Sequence, residues 1–488
     1  MTKTPLTIKR LLSDSIVYGS ARFISAIISI FLIPIYTRYF SVEQYGIIET
    51  LNIFHLILFN LFSLGLGQAI FRYYATSNDA DEKKKVFSTI HYASLFFSGI
   101  VMLAFGLLLS NWFGHRFVKL GDKDNFILIL LVLLQTICVI NSTNFQSILS
   151  INFKKIDFII STIGVVFFSS LLSIIFIVVF HYGIISVFLA STIANFICTI
   201  YAYIKVRKEI STQHFSFSLL FKFISFCLPF IPITFSILIM RSSDRYFMSL
   251  LLDNSLYKIG LYSTAEKVVM PLTMIGAAFQ LAWEPIAMKA AGESDPKPLY
   301  KSAFKYYISI TTIACIIFCG LAKFVLLVLT TEPYFIAYKY VAPLGIYLSF
   351  NSLIVIGSKG ILLTNKQKML SLFVVIAALI NLLLNYITIP IWEIYGSAWS
   401  TVVSLFILNI LIFIYAEQKY YVGYPLISGL ILYIISSIVS IIIVNNIVWG
   451  GILLFLYTIM LFKLNFLELK PILNFINSLK NKSGLIKK

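Results

Sequence analysis

The sequence predicts an all-α, polytopic membrane protein of about fourteen transmembrane helices in two seven-helix lobes related by pseudo-twofold symmetry. Three observations predict it. First, 59% of the 488 residues are hydrophobic and only 12% are charged, about half the charge of an ordinary soluble domain. A soluble fold needs a polar outer shell, so lipid is the solvent for most of this chain. Second, apolar runs such as Phe158–Phe180 and Ser371–Pro390 last about twenty residues, the length that crosses a bilayer as helix. Barrel strands would alternate apolar and polar residues over about ten positions. Third, a weak internal repeat marks two halves. Ser41-x3-Tyr45-Gly46 resembles Ser255-x3-Ile259-Gly260, each preceded by an Arg-Tyr-Phe triplet, at Arg38 and Arg245.

The helices are placed at 13–35, 46–70, 87–112, 126–149, 158–181, 184–204, 223–251, 260–288, 304–327, 341–362, 369–389, 395–416, 424–445 and 447–464. The expected division is 1–210 (helices 1–6), 211–420 (helices 7–12) and 421–488. The last part carries helices 13 and 14 and a basic, amphipathic cytoplasmic tail suited to an anionic leaflet. With an even helix count, 27 lysines and arginines fall on the side of the termini. Six (Arg38, Arg116, Lys119, Lys123, Lys258, Lys339) fall on the other. That bias places both termini in the cytoplasm. The run after the basic N-terminus continues past Pro34 and has no small-residue cleavage site, so it reads as a retained helix.

Several function classes fall away. The net charge of +18 is scattered in short inter-helix clusters and forms no stripe with interleaved aromatics, so nucleic acid is not an expected partner. The five cysteines form no CxxC pair, and neither HExxH nor GxxxxGK[ST] occurs, which removes zinc, a structural disulfide and P-loop hydrolysis. Asp79-Ala80-Asp81 and Asp122-Lys123-Asp124 match a metal-holding DxD pattern but lie in loops of under twenty residues. Solvated charged loops explain them better than an enzyme domain.

In lipid the informative residues are the polar ones, because a charge at membrane depth costs energy unless it faces a cavity or a partner. Arg22 lies a third of the way into the first helix, and Arg241, Asp244 and Arg245 cluster in the seventh. At i, i+3 and i+4 these three share a helical face, so Asp244 can pair with either arginine. Glu266, Lys267, Gln280 and Glu284 follow in the eighth helix, and Glu49, Asn52, His55, Asn60 and Gln68 string along the second. The reading is a hydrated cavity lined by helices one, two, seven and eight. Arg22, Arg241, Arg245 and Lys267 are its cationic candidates, and Asp244, Glu266, Glu284 and Glu49 are supporting or coupling groups. In the competing reading, Arg241 and Arg245 snorkel at the outer interface while Arg22 pairs with Asp14 or Glu49. Pro34 is read as ending the first helix, with Pro229, Pro232 and Pro271 bending the seventh and eighth.

The segments Pro34-Ile35-Tyr36-Thr37-Arg38-Tyr39-Phe40-Ser41-Val42-Glu43-Gln44-Tyr45-Gly46, Leu66-Gly67-Gln68-Ala69-Ile70-Phe71-Arg72-Tyr73-Tyr74, Ser243-Asp244-Arg245-Tyr246-Phe247, Gly260-Leu261-Tyr262-Ser263-Thr264-Ala265 and Trp283-Glu284-Pro285 resemble the polysaccharide flippase branch of the MOP (multidrug/oligosaccharidyl-lipid/polysaccharide) superfamily. The resemblance runs over essentially the whole chain. It implies an inner (plasma) membrane flippase, not an enzyme. Such a protein carries an undecaprenyl-pyrophosphate-linked oligosaccharide to the outer leaflet by alternating access, for O-antigen, capsule or a similar polymer. It implies no cofactor beyond a candidate coupling ion, proton or sodium. The implied partners are the bilayer, the lipid-linked substrate and, as candidates, a polysaccharide polymerase and chain-length machinery. Asp244, Arg245 and Gly260 fall on the family pattern. The alternatives are a drug exporter of the same superfamily and a membrane-embedded glycan polymerase or ligase, though a polymerase needs a larger outer loop than the roughly fifteen residues of 109–125 or 326–340.

Overall fold

In lipid, each backbone N–H and C=O must find its partner within the protein, and here the helix supplies it throughout. The computed structural model describes residues 24, 28, 30–77, 79–290, 295–351, 353–364 and 366–467, and every regular element among them is helical. In chain order the main ones are α1 (Ile33–Tyr39), α2 (Val42–Phe62), α3 (Ala80–Val118), α4 (Asp122–Ile151), α5 (Lys155–Val178) and α6 (Ile185–Glu209). They continue with α7 (Phe217–Cys227), α8 (Ile231–Leu251), α9 (Ser255–Val269), α10 (Pro271–Ala290) and α11 (Lys297–Leu329). The last are α12 (Val341–Asn351), α13 (Ile354–Leu363), α14 (Gln367–Lys419), α15 (Leu426–Asn445) and α16 (Ile447–Lys463).

Among the described residues nine helices are long and apolar enough to cross a membrane, or ten when α7 and α8 count as one bent span. Several of the fourteen predicted segments take a different form. Most of 13–35 lies outside the described residues, as does the tail beyond Leu467. Residues 30 and 31 are helical and Leu32 is a turn, and Pro34 occupies the first turn of α1 just beyond that break, where its missing N–H costs nothing. The predicted 223–251 bends by 54° between α7 and α8, at the turn Leu228–Phe230 that holds Pro229. The predicted 260–288 breaks at Met270, leaving α9 and α10 as separate helices with Pro271 first in the second. The predicted 369–389 and 395–416 lie within α14, which kinks at Glu393 with a φ of 51°. Thr388 Oγ1 donates to the Gly396 carbonyl at 3.0 Å and lies 2.8 Å from Ser400 Oγ, so the chain folds back into a helical hairpin.

The chain separates into two units. The first comprises Met1–Thr264, Leu326–Ala337 and Val374–Thr401. Its spine is α4, which serves two apolar clusters. Leu128, Val132 and Ile140 of α4 join Leu51, Phe54 and Leu58 of α2 and Phe188 of α6. Phe145 and Ile148 join Phe87 and Ile90 of α3, Ala202 of α6 and Phe223 of α7. Polar pairs hold these helices together where apolar contact alone gives no advantage over lipid. His55 Nδ1 meets Thr136 Oγ1 at 2.7 Å, and Asn144 Nδ2 donates to Ser94 Oγ at 2.8 Å. Only 17% of the most apolar stretch of α5 is buried, with Phe167 and Leu171 outward, so α5 is a lipid-facing outer helix.

The second unit comprises Ala265–Val325, Tyr338–Phe373 and Val402–Lys488. Its centre is α11. Tyr457 of α16 donates to Thr312 Oγ1 at 2.7 Å, and Lys305 Nζ and Ser309 Oγ donate to the carbonyls of Asn465 and Phe466 at 3.0 and 3.3 Å. Gly345 of α12 and Gly429 of α15 let those helices close onto Cys315 and Phe304.

The two repeat signals meet in the first unit. Ser41 caps α2 in a reciprocal box with Gln44, and Ser255 starts α9. A Cβ on Gly46 would lie 1.9 Å from the Leu256 carbonyl oxygen, and one on Gly260 would lie 2.1 Å from that of Val42. Each glycine follows its serine by five residues, and each carbonyl it meets follows the other serine by one, so the contact is reciprocal. Gly46→Ala and Gly260→Ala should each cost about 1–3 kcal/mol through overpacking, read as a lower unfolding temperature in detergent. Gly451→Ala, where nothing lies within 4 Å, should be neutral.

Candidate functional site

Helix α8 carries only Thr234 and Ser236 among apolar residues until Arg241-Ser242-Ser243-Asp244-Arg245, where five polar residues in succession cover more than one helical turn. Asp244 and Arg245 are buried, with side-chain exposures of 4% and 8%, and pair at 3.8 Å between Arg245 Nη1 and Asp244 Oδ1. The backbone N–H of Arg245 donates to Asp244 Oδ1 at 2.8 Å. From α9, Tyr262 donates its hydroxyl proton to Asp244 Oδ2, and its ring lies 4.9 Å from the Arg245 guanidinium carbon. Arg245 Nε donates to Ser263 Oγ at 3.3 Å, and Nη1 donates to the Arg241 carbonyl at 3.4 Å. The guanidinium is thus held by a carboxylate, an aromatic face, a hydroxyl and a carbonyl, which together offset its desolvation. Arg245 also borders a cavity of about 30 Å³ with Thr50, Phe54, Phe117 and Tyr246, room for about one water.

Asp244 therefore chooses Arg245 as its ion-pair partner. Arg241, one turn earlier, keeps an exposed side chain. Glu49 is buried on α2 at 9% exposure. Arg22 lies outside the described residues.

The remaining candidates belong to the second unit. Glu266, half-buried on α9, accepts from the Tyr347 hydroxyl at 2.6 Å. Lys267 beside it is also half-buried. Glu284 of α10 is half exposed. It accepts from Gln280 Nε2 at 3.2 Å and pairs with Lys359 Nζ at 3.9 Å.

Lys359 counts, by sequence, among the loop charges. The structure puts it inside α13, only 7% exposed. Its signal was present in Ile354-Val355-Ile356-Gly357-Ser358-Lys359-Gly360-Ile361, a lysine within an apolar run. Asn381 and Asn385 were also missed. Both are fully buried on α14. Ser243 Oγ donates to Asn381 Oδ1 at 2.7 Å and accepts from Asn385 Nδ2 at 3.0 Å, so a polar seam from α14 backs the charged turn of α8. The four-residue spacing of two asparagines in an apolar helix was their signal. Among the described residues no group of three His, Cys, Asp or Glu side chains could hold a metal ion.

The sequence model of the family described as "Polysaccharide biosynthesis protein" matches residues 11–291. No curated protein matches by sequence. Among solved structures, the fold is similar to that of the lipid II flippase MurJ in an inward closed conformation. The TM-score is 0.70 at 16% identity, over 92% of this chain and 99% of that one. It is similar to an outward-facing multidrug resistance MATE family transporter of the MOP superfamily, with a TM-score of 0.59 at 13% identity over 84% and 95% of the two chains. It is also similar to a MOP superfamily transporter from Pyrococcus furiosus, with a TM-score of 0.57 at 14% identity over 84% and 95%. At these identities the likeness speaks for the fold.

The geometry makes Asp244 the group that keeps a buried guanidinium tolerable. Asp244→Ala should destabilise the protein by about 3–5 kcal/mol by stranding Arg245. The double replacement Asp244→Ala/Arg245→Ala should cost less than the sum of the two single ones, as a double-mutant cycle of unfolding in detergent would show.

Proposed function

The chain belongs to the polysaccharide biosynthesis protein family, and from that premise we propose that it flips a lipid-linked oligosaccharide across its membrane. The substrate class is an undecaprenyl-pyrophosphate-linked sugar unit, moved from the cytoplasmic to the outer leaflet by alternating access for assembly of a surface polysaccharide such as O-antigen or capsule. The 27-to-6 asymmetry of basic residues supports an inner-membrane location with cytoplasmic termini.

One observation carries this reading: Arg241 is exposed in the interior of a membrane helix. It lies ten residues before the end of α8, about 15 Å along the axis, half the thickness of the hydrocarbon core. A charge does not face lipid at that depth; it faces water or an anionic ligand. Pyrophosphate is such a ligand, and a guanidinium can meet it with two parallel hydrogen bonds. Arg245, one turn away, is paired with Asp244 and held by Tyr262 and Ser263, so it fixes the turn that presents Arg241. Lys267, Lys359 and Arg22 are further cationic candidates for the path of the headgroup, with Glu49, Glu266 and Glu284 as supporting or coupling groups. The polyprenyl chain stays in lipid. A proton or a sodium ion is the candidate driving ion. A polymerase and chain-length machinery would receive the product. The chain itself is read as a transporter without catalytic residues. A drug exporter of the same superfamily is disfavoured because cationic drugs would be repelled by Arg241.

Arg241→Ala should reduce surface polysaccharide at least tenfold while leaving membrane insertion intact, with glycan-lipid accumulating on the cytoplasmic leaflet. Arg241→Lys should rescue only part of the loss, since a lysine cannot make the two-pronged contact. Normal export by Arg241→Ala would remove this arginine from the substrate path. Normal leaflet crossing with unpolymerised units outside a deletion strain would instead point to a polymerase.

A further inference from the structure

A second cavity lies in the first unit, with neither Arg241 nor Arg245 in its lining. It holds about 550 Å³ between the start of α3 and the start of α7, within the size range of small-molecule pockets. Its walls carry Lys85, Lys222, His214, Ser216, Ser218 and Tyr73. Lys222 Nζ sits 5.1 Å from the centre of the Tyr73 ring, which holds that ammonium beside the cavity. His214 lines the wall as well, its Nδ1 buried with no hydrogen-bond partner among the described residues. Ser216 caps α7, its Oγ accepting from the Leu219 N–H at 3.5 Å and lying 2.9 Å from Ser218 Oγ. The 11-residue α7 thus turns its N-terminal N–H groups, hydroxyls and partial positive charge toward the same space. The acidic residue in the wall, Glu82, accepts the Ser77 hydroxyl at 2.5 Å, so two lysines face one occupied carboxylate.

Around this mouth the protein is basic. Lys154 Nζ reaches the Lys205 carbonyl at 3.0 Å and Lys205 pairs with Asp157 at 3.0 Å. The helix ends carrying Lys83 and Lys84 (α3), Lys155 (α5) and Arg207 and Lys208 (α6) lie at the same end. The outer face of α7 is apolar. Phe217 and Phe221, four residues apart and so on one face, are each 69% exposed and alternate with the cavity residues Ser218 and Lys222. At about 16 Å, α7 is too short to span a bilayer, and its two faces suit a membrane–water boundary.

A cationic, hydroxyl-lined pocket edged by exposed phenylalanines matches an amphiphile with an anionic head. We propose that this pocket binds the phosphate headgroup of an anionic membrane phospholipid, with Lys85 and Lys222 on the phosphate and the acyl chains along Phe217 and Phe221. The membrane source is favoured over a soluble phosphate because the apolar stripe adjoins Lys222 on the same helix. The site does not rest on the transport reading.

Native mass spectrometry of the full-length protein with phosphatidylglycerol and phosphatidylcholine tests it. The two lysines should favour phosphatidylglycerol by roughly thirtyfold. Lys85→Gln/Lys222→Gln should bring that preference to within about twofold, whereas Lys154→Gln/Lys208→Gln should keep most of it. Both pocket lysines are exposed, so folding should survive, with size-exclusion elution as the check. Phe217→Ser/Phe221→Ser should weaken phosphatidylglycerol binding without affecting glycerol phosphate. A preference unchanged in the pocket-lysine variant would overturn the proposal. So would competition by millimolar inorganic phosphate combined with no effect of the phenylalanine changes, which would mark a free-anion site.

Discussion

The backbone contact between Gly46 and Leu256, returned by Gly260 against Val42, is the constraint on which the polar interior of the first unit depends. Two helix entrances approach until carbonyl oxygens occupy the space of a side chain. Small residues permit this, and in lipid such packing is a main source of helix association. The approach positions the residues further along each helix. Tyr262 and Ser263 come two and three residues after Gly260, and they are the α9 groups that bond Asp244 and Arg245. Glu49 comes three residues after Gly46 and is buried. The segment 326–337 ties in the same corner. Tyr334 donates to the carbonyls of Phe40 and Ser41 at 2.9 Å, and Thr331 donates to that of Thr37 at 2.9 Å.

Charge inside this protein is handled in two ways. Asp244 and Arg245 are neutralised by each other and by hydrogen bonds from α9, so they hold geometry. Arg241 is left exposed, and Lys359, buried in α13, is matched to a half-exposed Glu284. A charge that keeps its field can be met by a substrate, whereas a fully compensated one is part of the scaffold. The same polar economy extends to neutral groups. Ser243, Asn381 and the Asn385 amide nitrogen bond one another behind the charged turn, because each would be costly facing hydrocarbon alone.

Helix ends matter as much as helix interiors. The bend between α7 and α8 frees an amphipathic segment whose start forms one wall of the basic cavity, and the break at Met270 separates α9 from α10. Proline is the local cause in both places, since it removes a backbone donor and crowds the preceding turn. The third interruption, at Glu393, is of another kind. A non-glycine residue with positive φ is stabilised by the hairpin packing of Thr388 on Gly396 and Ser400, and by the 3.0 Å pairing of Glu393 with Lys258.

The class of protein and most of its apolar runs were legible in the sequence because run length is a local quantity. A twenty-residue apolar run has few alternatives to a membrane helix. The repeat of Ser41 to Gly46 in Ser255 to Gly260 was legible too, as was the cluster at Arg241 to Arg245. Other features were not, and the reason is geometric. Arg241 lies three residues before Asp244 and Arg245 directly after it, so Asp244 had two possible partners until Tyr262 and Ser263 arrived from α9 to fix Arg245. Lys359 near the end of an apolar run read as a loop charge, because its burial comes from chain distant in sequence. Asn381 and Asn385 had no visible role until Ser243, about 140 residues away, was placed between them. The solvent, the helices and the stock of polar groups were thus written in the order of residues alone. Which charges are compensated and which remain open was settled by the fold, since burial and pairing are properties of neighbours that the fold brings together.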